Sequence, residues 1–397
     1  MPENMPRVAN GSEGRIGRTE YIDGTSRFNE EARSNMSSSD LRVEFERDID
    51  AVVGTQYGDE GKGMVAKLLA DGGFYDGEPY RWTARVGAQN AEHRFIHQGA
   101  EFCGRVLPSA AAFRDIDVYL GAGHCFRPDH LLTEMVHMGV APERIMVDGQ
   151  AMWLKPEHAA ANEVIGQARG TTGWGIGAAV AEKVRRRPGT QLIRDAADLL
   201  PGIRIGSVSD TLMGVDGPGL VEGSQGALLS LDQGDYPYCT AKNVTVPAMF
   251  GELGVSFKRL RYVFGVVRLV PMRVPGESGP AGGKELSYDE IEQSTGLRIP
   301  KSKRMQGDAT KETEERVFEF SMDELLTSHG LNGYDGLAVT FADYHRPGNY
   351  RVTEWDKLHE DTRKLIMQIN DTIAPVFLVR TGQGEHDNIW LKDGRPV

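Results

Sequence analysis

The stretch "VVGTQYGDEGKG", Val52 to Gly63, runs from apolar β-branched residues into glycines broken by Asp59, Glu60 and Lys62. With "IDA" before it and "MVAKLLADGG" after it, the text reads as a short strand, a glycine-rich turn and a helix stopped by glycine. Glycines let backbone N–H groups approach phosphate oxygens, the helix adds its positive N-terminus, and Lys62 adds a point charge. Neither common nucleotide fingerprint is met. GxxxxGK followed by Ser or Thr fails because Gly63 follows Lys62. GxGxxG fails because Gly58, Gly61 and Gly63 are wrongly spaced. The carboxylates pose the question, since each repels phosphate unless a magnesium ion lies between them or it takes a proton of its own. Asp59 suits both tasks.

Outward from this turn, strand and helix patterns alternate. "DIDVYLGAG", "RIMVDGQ", "GPGLVEGSQG" and "LAVTFADY" read as strands ending in turns, and "DHLLTEMVHMG" reads as a helix. The alternation predicts an α/β fold, one large domain with a mostly parallel central sheet flanked by helices. Residues 1–46, poor in Leu and Val, are expected to form a flexible tail ahead of a catalytic domain over 47–397. The polar, glycine-bearing stretch 276–317 reads as a long connection and a candidate mobile substrate loop.

The 397 residues, 40% hydrophobic and 26% charged, suffice for a sizeable core. A surplus of 57 acidic over 45 basic residues, net charge −12, argues against a general nucleic-acid or anionic-membrane surface while leaving room for a local phosphate site. Cys103, Cys125 and Cys239 form no CxxC pair and imply a reducing compartment. No apolar run approaches the roughly 20 residues of a membrane span and the start lacks a signal-peptide pattern, so a cytoplasmic location is expected.

The opening stretch resembles the signature of the adenylosuccinate synthetase family, and the likeness continues in order from about Asp50 to the C-terminus. "NAEHR" (Asn90 to Arg94), "GTTGWGIG" (Gly170 to Gly177), "EKVRRR" (Glu182 to Arg187) and "EGSQGALLSLDQGDYPYCT" (Glu222 to Thr240) resemble successive family motifs, with weaker echoes in "MRVPGE" and "VRTGQG". The resemblance implies a two-step ligation on a 6-oxopurine nucleotide. A base removes the N1 proton, O6 attacks the γ-phosphate of a nucleoside triphosphate, and the amine of L-aspartate displaces phosphate at C6. It implies Asp59 as base and Mg²⁺ ligand and His93 as a general acid on the transferring phosphoryl group, a role that suits an imidazolium. It places Gly58, Glu60, Gly61, Lys62 and Gly63 around the triphosphate, with Phe341, Asp343, Gly382 and Gln383 at the donor base. Asp59, Asn90, Ala91, Thr172, Gln225, Thr240 and Val274 fall at the purine monophosphate, and Arg186 reaches it from the partner subunit of a homodimer. Thr310 and Arg316 fall at aspartate, and Glu92 joins Asp59 at the metal.

The departures from the family pattern carry information. Glu92 and Arg94 stand where the family has glycine and threonine. "TFAD" keeps Asp343 of the guanine-binding TKxD stretch but places Phe341 at its lysine, and "RTGQ" replaces STGP; an aromatic face with Asp343 accepting from an exocyclic amine suits adenine. "GDATKETEER" offers acidic residues where the family's aspartate loop carries arginines, leaving Arg304 or Arg316 as substitutes. With a body shorter than usual, these features resemble the bacteriophage branch, which ligates aspartate to dGMP with ATP or dATP and yields a 2-aminoadenine precursor, N6-succino-2-amino-2′-deoxyadenylate. The alternative is an ordinary synthetase using IMP and GTP. A non-catalytic nucleotide-binding regulator is the reading from another class, and Asp59, Lys62, His93 and Gln225 speak against it.

Overall fold

The computed structural model describes residues 45–72, 78–161, 173–301, 305–306, 313–392 and 395–396. Of the expected tail, residues 1–44 lie outside this set, and 45–397 form a compact unit. Its frame is an 11-stranded sheet. In chain order the strands are β1 (Ile49–Gly54), β2 (Trp82–Arg85), β3 (Asp117–Leu120), β4 (Ile145–Asp148), β5 (Arg204–Gly206), β6 (Gly219–Gly226), β7 (Leu260–Arg268), β8 (Gly336–Thr340), β9 (Val376–Arg380), β10 (Asn388–Lys392) and β11 (Arg395–Pro396). Across the sheet the order is β11-β10-β9-β8-β7-β1-β6-β2-β3-β4-β5. All neighbours run parallel except at one edge, where β9, β10 and β11 pair antiparallel.

β1, read from "IDAVVG", lies at the centre with every residue buried. Alternate side chains divide between two cores: Ile49, Ala51 and Val53 join Phe250, Leu325, Ile366 and Ile369 on one face, while Val52 joins Met64, Val65, Leu68 and Leu131 on the other. A parallel strand covered on both faces needs apolar residues at successive positions, which is why this text is continuous rather than alternating. The helix after the turn, α1 (Lys62–Ala70), is buried at every position and ends on Asp71.

The stretch 276–317 departs from a plain connection. It contains the strand Glu285–Leu286 and the helix Tyr288–Thr295, whose start is a capping box between Ser287 and Glu290. The Glu290 N–H donates to Ser287 Oγ at 3.1 Å, and the Ser287 N–H donates to Glu290 Oε2 at 2.7 Å. Tyr288 and Ile291 pack with Met272, Val317 and Tyr344 in a small core of their own. The S-x-x-E signal stood in the sequence within a polar setting that masked it. Residues 302–304 and 307–312 lie outside the described set.

At the end of β6 a Cβ added to Gly226 would stand 2.4 Å from the Gln56 carbonyl oxygen and 2.5 Å from Glu60 Oε1. Because one contact is backbone and the other a fully buried carboxylate, neither side can yield cheaply. Gly226→Ala is expected to destabilise the fold by about 1–3 kcal/mol, the range of overpacking, read as a lower midpoint in urea denaturation.

Candidate active site

The C-terminal ends of β1, β6, β7, β8 and β9 lie along one edge of the sheet, and the segments leaving them meet around a cavity of about 770 Å³. Open parallel sheets place ligands outside such strand ends. Its walls include Tyr57, Asp59 and Lys62 after β1, Gln225 and Thr240 at and after the end of β6, Arg268 and Arg273 at and after the end of β7, Phe341 and Asp343 after β8, and Gly382 with Gln383 after β9. Six non-glycine residues among those described hold a left-handed backbone, and three of them, Asp59, Gln225 and Phe341, line this cavity. Each such conformation costs on the order of 1–3 kcal/mol, and such residues gather at ligand sites.

The two carboxylates of the opening turn divide into different tasks. Glu60 is fully buried: Oε1 accepts the N–H groups of Gln56 at 3.0 Å and Gly58 at 2.9 Å, and Oε2 pairs with Lys62 Nζ at 2.7 Å. Glu60 does not line the cavity, so its expected place among the triphosphate contacts is corrected to that of a brace which shapes the loop. Asp59 faces the cavity, and its carboxylate has no hydrogen-bond partner among the described residues. The residue is exposed to the cavity, yet the partial desolvation of its carboxylate there pushes its pKa up, against the pull of Arg268 and Lys62. Gly61 precedes α1 with no side-chain cap, so the first N–H groups of α1 remain open for an anion. Gly63, whose place a hydroxyl residue takes in the common lysine loop, has another reason: a Cβ there would stand 2.9 Å from His93 Cβ and 3.0 Å from Ser109 Oγ.

That close approach brings in the hairpin of His93–His97 and Ala100–Gly104. His93 is buried, and its Nδ1–H donates to Glu222 of β6. Glu222 also accepts the Ser109 N–H at 2.7 Å and its hydroxyl at 2.9 Å. Burial works to raise the Glu222 pKa, but His93, Arg85 and the Ser109 N–H hold it below the usual carboxylate range. An ionised acceptor fixes the proton of a neutral imidazole on Nδ1, so Nε2 presents a lone pair, and that nitrogen is buried without a partner among the described residues. Burial, with the charge of Arg85, lowers His93 to about 4. This shift favours the neutral ring at neutral pH, against the imidazolium that suits the role expected from the sequence.

The remaining expected residues sort by place. Asn90, Ala91, Gln225, Thr240 and Val274 line the cavity, and Gln225 Nε2 donates to Asn90 Oδ1 at 2.8 Å. Phe341, Asp343, Gly382 and Gln383 line it at the β8 and β9 ends, and burial raises Asp343 to about 6. One face of Phe341 is already covered by the Arg268 guanidinium, 3.5 Å from the ring centroid, so a donor base has only the other face and the edge. Glu92 lines the cavity, but its carboxylate is bound by Arg94 and Arg105, which leaves its backbone carbonyl as the atom for a metal. Arg316 is spent: it donates to Glu285 Oε1 at 2.8 Å and Oε2 at 2.6 Å and to the Gly279 carbonyl at 2.6 Å, and it does not line the cavity. Arg186 is exposed at the C-terminus of the helix Ile176–Arg185, away from this cavity. Thr172, Thr310 and Arg304 lie outside the described residues.

Four further groups were not singled out from the sequence. Glu222 is a charge inside an apolar strand, a signal that was available in "GLVEGSQG". Arg268 likewise ends the apolar run of β7. Arg273 lines the cavity with its guanidinium 4.1 Å from the Tyr57 ring centroid. Glu315 lines it too, pushed up to about 8 by burial and by the charge of Asp59; nothing in its charged surroundings marked it.

The known proteins that this chain matches are nucleotide-dependent, C–N bond-forming ligases. Residues 51–199 and 216–349 match the model of adenylosuccinate synthetase, and the chain belongs to that family. Its members ligate aspartate to a purine nucleoside monophosphate, bind a nucleoside triphosphate and use a divalent metal ion. The chain is 30% identical over 353 residues to the adenylosuccinate synthetase of Methanocaldococcus jannaschii, covering 86% of this chain and 96% of that protein. It is 30% identical over 318 residues to the N6-succino-2-amino-2′-deoxyadenylate synthase of Vibrio phage phiVC8, covering 76% and 88%. Among solved structures, the cyanophage S-2L succinoaminodeoxyadenylate synthetase bound to dGMP and dATP superposes with TM-score 0.74 at 25% identity, covering 88% of this chain and 97% of that one. The archaeal match spans nearly all of its relative, so a short body does not separate the phage branch from ordinary synthetases.

The His93 environment makes a pH prediction. Its pKa is lowered to about 4 by burial, so below that value the ring is charged and above it neutral. A triphosphate brought beside it stabilises the imidazolium and raises that pKa, so binding takes up a proton in the window between the two values. Calorimetry in buffers of different ionisation enthalpy should show greater proton uptake for the protein than for His93→Ala, with a larger difference at pH 6 than at pH 8. Equal uptake would mean that the imidazole stays neutral.

Proposed function

We propose that this chain ligates L-aspartate to C6 of dGMP with ATP or dATP, giving N6-succino-2-amino-2′-deoxyadenylate. The observation that carries the choice is the donor end of the cavity, where Phe341 stands at the position of a guanine-packing lysine, Asp343 lines the wall beside it, and Gln383 and Gly382 close the other side. An aromatic edge and a carboxylate serve adenine through stacking and its exocyclic amine. The likeness to a phage synthetase bound to dGMP and dATP supports the same reading. The archaeal synthetases match this chain as well as the phage enzyme does, and they keep the IMP reading as the second one.

Asp59 takes the N1 proton, O6 attacks the γ-phosphorus, and the nucleoside diphosphate leaves. The Asp59 carboxylate and the Glu92 carbonyl would hold a divalent ion, magnesium by the preference of such oxygen donors, and the ion would supply positive charge to offset that of the phosphates. Lys62, the start of α1 and the charged His93 hold the transferring group, while Glu222 keeps the His93 ring oriented. Asn90, Gln225, Thr240 and Val274 hold the monophosphate, and Thr172 and Thr310 remain candidates for it and for aspartate. The aspartate amine then displaces phosphate at C6. These substrates are cytoplasmic metabolites, which is where we place the reaction.

The expected outcome of a substrate panel is a kcat/KM for dGMP exceeding that for IMP by about tenfold or more, since a buried acceptor left unpaired without the 2-amino group costs about 1–3 kcal/mol. ATP or dATP should serve at least as well as GTP. IMP winning by tenfold, with strict GTP dependence, would make this an ordinary synthetase.

Arg186 points to assembly. On its exposed helix end it fits a residue donated across a two-fold axis to the partner's monophosphate. Mixing Arg186→Ala and Asp59→Asn subunits, each inactive alone, should restore up to about a quarter of the wild-type rate, since half of random dimers are mixed and carry one intact site. A fully active monomer by light scattering contradicts the arrangement.

A further inference from the structure

The cations of the cavity are almost all engaged. Lys62 pairs with Glu60 at 2.7 Å, and Arg94 and Arg105 both bind Glu92. Arg273 donates to the carbonyls of Pro280 at 2.6 Å and Tyr238 at 3.0 Å, and Arg380 donates to Asn388 and to the carbonyls of Gly382 at 3.0 Å and Gly384 at 2.9 Å. Arg268 differs. Like Arg273 and Arg380 it enters no ion pair among the described residues, but unlike theirs one of its terminal nitrogens, Nη2, has no hydrogen-bond partner among them, although the residue is only 4% exposed and lines the cavity.

Everything else about Arg268 is fixed. Its N–H donates to Gln56 Oε1 at 2.9 Å and its carbonyl accepts Gln56 Nε2 at 3.0 Å, which clamps the end of β7 to the phosphate loop. Nε donates to the Val270 carbonyl at 2.7 Å and Nη1 to the Asp59 carbonyl at 2.9 Å. The guanidinium plane is stacked 3.5 Å from the Phe341 centroid. Among the cations around it, Arg268 is the strongest influence on Asp59, and Glu315 and Asp343 feel it as well.

We propose that Arg268 is a catalytic residue of the phosphoryl transfer, with Nη2 donating to a non-bridging oxygen of the γ-phosphoryl group as purine O6 attacks. The inference rests on the ligase reading above. As the O6–phosphorus bond forms, the bond from phosphorus to the β,γ-bridging oxygen breaks and its electron pair stays on the β-phosphate; the N1 proton goes to Asp59. Arg268 transfers no proton. Charge spread over the phosphoryl oxygens in the transition state meets a cation already desolvated and oriented, so no reorganisation is needed when the reaction occurs. Lys62, neutralised by Glu60, cannot supply that charge alone. Phe341 then has a second task, since it holds the guanidinium in place.

The test isolates the transfer step. ATP labelled with ¹⁸O at the β,γ bridge is incubated with magnesium and either dGMP or IMP, without aspartate, and movement of label into the β non-bridging positions is followed by ³¹P NMR. The wild type should scramble label with one of the two. Arg268→Gln should slow scrambling by about 10²–10³-fold, the usual loss of one preorganised donor, with smaller changes in KM. Arg268→Lys, which keeps the charge, the stem and the fold by thermal melting, should retain more activity than Arg268→Gln. Replacing a γ-oxygen by sulfur should slow the wild type more than Arg268→Gln, because the variant has already lost the oxygen contact, whereas a merely structural arginine would leave the sulfur effect unchanged. Scrambling by Arg268→Gln within threefold of wild type, or an unchanged sulfur effect, overturns the assignment while the ligase reading stands. No scrambling by the wild type with either purine, together with no succinylated product, overturns both.

Discussion

The Glu60 carboxylate is the constraint on which the site depends. It gathers two N–H groups and the Lys62 ammonium at one buried point, and its own carbonyl accepts Thr340 Oγ1 at 2.8 Å, which ties the loop to the end of β8. Gly54 and Gly226 lie so close that a Cβ on either would collide with Glu60. A buried carboxylate is tolerated when its lone pairs are satisfied and a cation is paired with it. The satisfied group bends the chain so that the neighbouring Asp59 adopts its left-handed backbone with its carboxylate in the cavity. The two acidic residues beside the lysine thus have opposite environments: one is consumed by the fold, and the other is left for chemistry.

That arrangement changes the electrostatic account of a phosphate site. In a loop whose lysine is neutralised, anion affinity has to come from the open N-terminus of α1, from a divalent ion and from cations outside the loop. Opposite the loop stands His93, kept neutral by burial until charge arrives. Few charges of the site are unpaired, which limits the cost of its desolvation, and a bound anion would create the charges that the reaction needs. The Asp59 and Glu315 carboxyls, both pushed upward by desolvation at the cavity wall, belong to the same logic.

The donor end shows how one substitution reorganises a pocket. A lysine packed along a base leaves no ring for other groups to use, whereas Phe341 offers two faces and gives one to Arg268. The segment after β8 and the turn after β1 therefore share a side chain, Arg268, which stacks on Phe341 and bonds the Asp59 carbonyl. Under the proposed reading, the exchange of guanine for adenine at Phe341 would at the same time place a cation next to the transferring phosphate.

The sequence by itself determined the β1–turn–α1 unit, the mostly parallel sheet and the residues that meet at its C-terminal edge, because apolar period, glycine punctuation and family-like spacing are local and survive in one chain. Asp59, His93, Asn90, Gln225 and Phe341 were legible for that reason. Tertiary structure alone decided what each charged group faces. Glu60 and Asp59 are adjacent in the text, but the folded loop turns the Glu60 carboxylate inward to Gln56, Gly58 and Lys62 against the close-packed Gly54 and Gly226, whereas Asp59 is left facing the cavity. Arg316 looked available until Glu285, 31 residues away in the chain, was seen to hold it. Arg268 and Glu222 gained their places through partners more than 100 residues distant, Asp59 for one and His93 for the other. Ionic pairing and burial are long-range properties of the fold, and a pattern read along the chain carries no record of them.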